Sequence, residues 1–390
     1  MIKTLGRGEQ GGSTGESRGA GGPRPARLAP RFLALAMAGA CLLTGLEAAL
    51  LRLGLSAPVT DAGLAPGSLA PLHGPLMLVG FLGTVISLER AVAARAAWAF
   101  LAPAGLALGA LLGPAGAPQG VGRLITLVGA LALGAIYIAV HRRAPSVAGD
   151  VEALGAIALI LGILLWIAGA PIEDCVPLWL LLPTLTIVGE RLELARVAFL
   201  DGAVEAVVAG LSATALLGAC LHPAGDWAAI IIGPALLGLA VTMAYYDVAR
   251  RTIRSRGRAA GAVRFAAASM LAGYLWLAVV GAVWTARGLE GNAYEIIIHS
   301  LGLGFAFSMI LAHAPTIIPA IVHRKLPHHP LMWVPFALLH GGLALRVGAL
   351  TAGALRPWQA GGVVGIVGIL AFMLIAVTRA VSSGRIGSRP

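Results

Sequence analysis

Charge is scarce in this chain. Only 12% of its 390 residues are Asp, Glu, Lys or Arg, about half the share of an ordinary soluble domain. With 58% hydrophobic residues and a mean hydropathy of +0.88, a soluble globular fold is excluded. Glycine and proline are frequent (53 and 23 residues), yet there is no G-X-Y period and no long proline tract, so collagen-like and linker architectures are excluded too. Strict apolar/polar alternation is also missing. Segments such as "LITLVGALALGAIYIAV" are apolar on every side, which rules out the strands of a membrane β-barrel.

What is present is a series of apolar runs of about 20 residues, the length a helix needs to cross roughly 30 Å of hydrocarbon. The runs fall at roughly 30–53, 69–93, 97–115, 121–141, 151–170, 175–197, 202–221, 226–247, 262–286, 293–314, 330–350 and 360–381. The sequence therefore predicts an all-α, polytopic bundle of about twelve transmembrane helices forming one domain over 30–382. Residues 1–29 are rich in Gly, Arg and Ser, with few apolar residues, and read as a disordered cytoplasmic tail; residues 383–390 read as a second short cytoplasmic tail. No cleavage pattern precedes the first run, which is expected to stay as a helix.

The formal charge of +11 would point to nucleic acid in a soluble protein, but its distribution gives it another meaning. With the N-terminus inside, the alternating spans put only Arg52, Arg123, Arg287, Arg346 and Arg356 outside, leaving 23 of the 28 basic residues inside. That bias holds at every pair of loops and supports the span count, with both termini cytoplasmic in a bacterial inner membrane. No nucleic-acid partner is needed. The pair Glu-Arg followed by Arg recurs at Glu89, Arg90, Arg95 and Glu190, Arg191, Arg196, at the inner ends of spans 2 and 6. It reads either as charges anchoring helix ends or as a trace of internal duplication.

Three cysteines occur. Cys41 reads as a packing residue within span 1. Cys175 and Cys220 sit at the outer ends of sequential helices, beside Asp174 and His222, and three readings stay open: separate packing thiols, a disulfide, or a soft-metal site.

An ionisable side chain inside a bilayer is costly, so buried histidines are functional candidates. Of nine histidines, His141, His323, His328 and His329 fall in basic boundary loops, and His222 lies at the outer rim. His73 in span 2 and His299 in span 10 lie at matching depths near the outer surface, and His340 is near the middle of span 11. His313 shares the face of His299 but stands about 21 Å along the axis, and Pro315 nearby leaves a helix carbonyl for it to satisfy. Two neutral imidazoles from facing helices can clamp a haem. Met77, one turn below His73, is an alternative ligand or plain packing. Gly74, Gly80, Gly302 and Gly304 would admit a flat macrocycle, and Glu295 could accept a ring N–H of His299 or contact a metal. Arg346 and Arg356 are the outer cations placed to meet haem propionates.

The stretch "LHGPLMLVGFLG" in span 2 resembles the His-Gly-x-Leu-Met segment of subunit I of haem–copper oxidases, whose span 10 supplies the opposing haem ligand. The stretch around His299 and His313 ("HSLGLGFAFSMILAHAP") resembles the NnrS family of haem- and copper-containing membrane proteins associated with nitric oxide stress. The resemblance implies a haem–copper-oxidase-like helix arrangement, a low-spin b-type haem between His73 and His299, and His340 or His313 serving copper or a second haem. The oxidase copper site would need histidines in spans 6 and 7 and a second one near His299. Leu301 and Ile297 stand there instead and spans 6 and 7 have none, which argues against oxygen reduction and leaves an enzymatic activity open.

The leading expectation is thus a haem-binding inner-membrane protein of the nitric oxide response type, with copper binding and a small diatomic ligand left open. A proton-coupled secondary transporter using His299, Glu295 and Glu47 is the alternative. A membrane assembly or sensory subunit with the basic segment 250–264 as contact surface is the third reading.

Overall fold

The computed structural model describes residues 29–63, 67–196, 202–257 and 260–383. The two tails expected at 1–29 and 383–390 lie outside the described residues, apart from Ala29 and Ser383. Among the described residues there is no β-strand.

The apolar runs form helices in chain order: α1 (Ala29–Arg52), α2 (Pro75–Ala94), α3 (Ala97–Leu112), α4 (Gln119–His141), α5 (Val147–Ile167), α6 (Ile172–Ala195), α7 (Gly202–Ala224), α8 (Asp226–Tyr246), α9 (Ala260–Arg287), α10 (Asn292–Ile321), α11 (Pro330–Thr351) and α12 (Leu355–Ser382). Eleven of the described helices are long and apolar enough to span a bilayer. The exception among the twelve expected runs is α3, whose 16 residues reach only about 24 Å. Helix starts and stops follow local chemistry. Ser146 caps α5 by accepting the Gly149 N–H at 3.1 Å, and α2 ends where Arg95 turns left-handed at φ 55°.

In lipid, association depends on close van der Waals contact, which small residues permit. A Cβ added at Gly105 of α3 would stand 2.7 Å from the Gly129 Cα of α4, and one at Gly281 of α9 would stand 2.8 Å from the Gly233 carbonyl oxygen of α8. These backbones touch only because both positions are glycine. The outer helices turn bare leucine and isoleucine outward: Leu275, Ile230 and Leu374 are about two-thirds exposed, a surface that water would not tolerate and lipid covers. The protein is therefore a multi-pass membrane protein.

The three most buried spans are α2, α6 and α10, every fourth helix of the chain. They converge at the centre, with α1, α5 and α9 among the helices packed around them. Strict alternation of direction makes all three run the same way. This is what brings α2 and α10, eight helices apart in sequence, side by side.

Candidate functional site: a paired-histidine slot

Two of the three central helices carry a local distortion. The backbone of α2 is π-helical over Pro75–Gly83, starting two residues after His73, and that of α10 is π-helical over Ser300–Phe307, starting directly after His299. A π turn inserts an extra residue and re-aims the side chains on either side of it, and such turns gather at functional sites. The two stretches are in register. His73 faces His299, with ring centroids 6.3 Å apart and planes within 18°. Eight residues further along each helix, Phe81 faces Phe307 at 5.6 Å and 24°. Of this pair Phe307 lines the cavity beside the imidazoles, and neither ring intrudes between them.

Both rings are oriented by backbone carbonyls. His73 Nδ1 lies 2.8 Å from the Gly45 carbonyl oxygen of α1, and His299 Nδ1 lies 2.9 Å from the Glu295 carbonyl oxygen one turn earlier in α10. A carbonyl can only accept, so each Nδ1 carries the proton and each Nε2 keeps a lone pair. Neither Nε2 makes a hydrogen bond among the described residues. Gly45 lies close under Met77: a Cβ there would stand 2.7 Å from the Met77 sulfur, which would have to shift.

The rings open on a cavity of about 400 Å³ lined by Met77, Gly302, Phe307, Arg52 and Arg346 among others. A Cβ at Gly302 would meet nothing within 4 Å, so that glycine contributes empty space; at Gly304 it would run into Trp276. At 6.3 Å the rings are too far apart for face contact, which needs about 3.5–4.0 Å. Two imidazoles bound end-on to one metal ion at about 2 Å have centroids about 6 Å apart. Residue type, tautomer, spacing and free volume therefore fit a flat metal macrocycle held on both faces.

Arg346 borders the cavity and is 9% exposed. Its Nε and Nη2 both lie 2.7 Å from Glu295 Oε1, to which Trp358 Nε1 also donates. The role expected for Glu295 is thus divided: its carbonyl orients His299, and its carboxylate holds Arg346. Arg356 is exposed and is not among the residues lining the cavity. The second cation there is Arg52, which sequence reasoning passed over although it is one of the five basic residues on that side.

His313 and His340 lie elsewhere. His340 Nδ1 accepts from Trp276 Nε1 at 3.0 Å and its Nε2 lies 3.3 Å from Ser308 Oγ, so both ring nitrogens are engaged between α9, α10 and α11. His313 Nδ1 donates to the Met309 carbonyl at 2.7 Å, and its Nε2 faces Arg191 Nη1 at 3.5 Å. Neither lines the slot, and among the described residues no group of three or more His, Cys, Asp or Glu side chains could hold a metal ion. Neither of the two, named as alternatives for copper or a second haem, stands in such a group. Cys175 and Cys220 are both free thiols, not joined as a disulfide; His222 Nε2 lies 3.9 Å from Asp174, and among the described residues these side chains form no group that could hold a metal ion. Glu47, a candidate transporter acid, is a backbone cap whose Oε1 accepts the N–H groups of Val59 and Thr60 at 2.7 and 2.8 Å.

The two Glu-Arg pairs make contacts with neighbouring helices, and they do different things. Arg191 makes a two-pronged salt bridge to Asp247 (2.7 and 2.8 Å), which also accepts from the Tyr274 hydroxyl and the Ala249 N–H. Arg90 binds Glu152 at 3.0 Å and also Glu190.

Residues 31–381 match the family model described as a domain of unknown function (DUF8744). The chain belongs to the DUF8744 family. The match runs from the first helix to the last, so the slot lies within the DUF8744 region. No curated protein and no solved structure matches this DUF8744 member.

Proposed function

We propose that this DUF8744 protein binds a b-type haem, which His73 and His299 would hold through Nε2, and works as an electron carrier in a bacterial inner membrane, both termini being cytoplasmic. The observation that carries the reading is the near-parallel imidazole pair at 6.3 Å, each ring locked by an Nδ1–H···O=C bond. Haem, when bound, supplies a one-electron couple. The chain's own residues supply the rest. Gly45 and Glu295 fix tautomer and ring direction, which also raises the basicity of each Nε2. Gly302 leaves room for a ring edge, and Arg52 and Arg346 offer positive charge to anionic substituents at one end of the cavity. The three cysteines stand far apart and none sits in a C-x-x-C-H segment, so attachment would be non-covalent.

Both Nε2 atoms would be taken up in holding the group, which favours electron transfer over gas binding. The link to nitric oxide rests on the NnrS resemblance alone. Copper has no support at His313 or His340, whose ring nitrogens are occupied. The transporter reading loses Glu47 to a capping role and Glu295 to Arg346.

Protein purified from haem-replete cells should have a Soret band and a low-spin spectrum, both lost in His73→Ala and in His299→Ala but kept in His340→Ala. Colourless wild-type protein, or colour retained in both single variants, would overturn the proposal.

A further inference from the structure

A second polar cluster lies at the opposite end of α2 from the histidine slot. Arg90 of α2 stands among three carboxylates: Glu89 beside it, Glu152 of α5 and Glu190 of α6. Glu152 is 5% exposed, and Glu89 and Glu190 are half-buried. Tyr137 of α4 and Thr186 of α6 are 5% and 2% exposed; neither hydroxyl makes a hydrogen bond of ordinary geometry, and the Tyr137 hydroxyl lies close to both Thr186 and Glu152. Tyr137 lies within electrostatic reach of Arg90, Glu152 and Glu89. The groups acting on Glu152 are Arg90 and Glu89 from α2, Glu193 from α6 and Tyr137 from α4.

The charges do not balance. Three carboxylates share one guanidinium in surroundings where unpaired charge is costly. The neighbouring Arg191–Asp247 pair balances one against one and leaves no acceptor over, so the excess at Arg90 is particular to this cluster. A metal ion would have to sit beside the guanidinium, which repels it, and the carboxylates are not grouped as a metal site. A proton faces no such obstacle: it goes onto a carboxylate oxygen and turns that oxygen into a donor. The Tyr137 and Thr186 hydroxyls are the nearby groups able to hydrogen-bond a carboxyl as it changes state.

We infer that Glu152 and Glu190, bridged by Arg90 and flanked by Tyr137 and Thr186, form a proton-binding site at the arginine-rich end of the bundle, able to load and release one proton. Where like charges sit close together in a buried site, one of them gives up its ionisation first. The inference does not depend on the haem reading, because its residues and its readout are separate.

The test is infrared difference spectroscopy of the full chain in lipid, titrated across the range in which the protein stays folded, in H2O and in D2O. A protonated-carboxyl band should appear as pH falls, shift in D2O, and be lost in Glu152→Gln. Tyr137→Phe removes no charge and should keep the fold; its band is expected to persist with the midpoint moved upward, since a hydroxyl able to donate to the ionised carboxylate has gone. Absence of any protonated-carboxyl band in the wild type overturns the site, as does a band unchanged in Glu152→Gln and Glu190→Gln, or a midpoint unmoved in Tyr137→Phe.

Discussion

Asp247→Asn offers the sharpest quantitative check on how this bundle is held together. Asp247 stands just beyond the last turn of α8 and is 4% exposed, while Arg191 of α6 is 7% exposed. The carboxylate accepts two bonds from Arg191, one from Tyr274 of α9 and one from the Ala249 N–H. The substitution keeps the shape but leaves a guanidinium buried without its counter-charge and turns an NH2 toward it. Breaking one side of a buried pair costs about 3–5 kcal/mol. At about 1.4 kcal/mol per factor of ten, that raises the unfolding constant by about two to four powers of ten.

Unfolding in mixed micelles by added SDS, followed by circular dichroism, reads this directly. The double variant Arg191→Met with Asp247→Leu should recover most of the loss, since an apolar pair of similar volume removes the stranded charge. A single variant within about 1 kcal/mol of wild type would refute the reasoning, because a loss that small is typical of an exposed pair. A double variant no better than the single one would refute it too. The same pair sets a pH dependence. Burial by itself would raise the Asp247 carboxyl, but the bonds and charge of Arg191, with Tyr274 and Ala249, outweigh it and hold the group below the usual carboxylate range. A lowered value in the folded chain means the stabilisation is complete above about pH 4, the ordinary carboxylate value, and is lost as pH falls through the lower folded value. Asp247→Asn should abolish that acid-side slope.

Two further outcomes follow from particular side chains. Gly302→Leu should fill the slot and remove the Soret band while leaving the helix content intact, whereas Gly341→Leu, at another glycine with open space around its Cα but outside the cavity, should leave the spectrum unchanged; equal spectra from the two would place the cofactor elsewhere. Glu47→Ala should cost about 1–2 kcal/mol in the same micelle assay through loss of a charged backbone cap, and an undiminished stability would show that the Val59 and Thr60 N–H groups find other partners.

Much of this was legible in residue order, and the misses have physical causes. Span positions and the asymmetry of arginine follow from transfer free energy, a property of each segment alone. His73 and His299 stood out because an imidazole at depth is costly wherever the neighbours lie. Their use of backbone carbonyls did not stand out, because Gly45 reaches His73 only after α1 has packed on α2. Glu295 was expected to serve His299 with its carboxylate, yet the carboxylate is drawn to Arg346 and Trp358 and the carbonyl does the orienting. Arg356 and Arg52 are equivalent on a charge map, and only the packing of α1 at the cavity distinguishes them. His340 and His313 share the residue type of the slot histidines, but Trp276, Ser308 and Met309 occupy their nitrogens.

The residue order alone therefore determined that the chain spans a membrane many times, which segments cross it, and which few ionisable groups would be expensive there. These are one-body quantities, summed along a helix against a uniform hydrocarbon solvent. Which of the expensive groups meet is a many-body matter. It depends on α2, α6 and α10 converging, on π turns re-aiming two imidazoles, and on glycines letting backbones touch, so the slot and the unbalanced carboxylates around Arg90 exist only once the helices are packed.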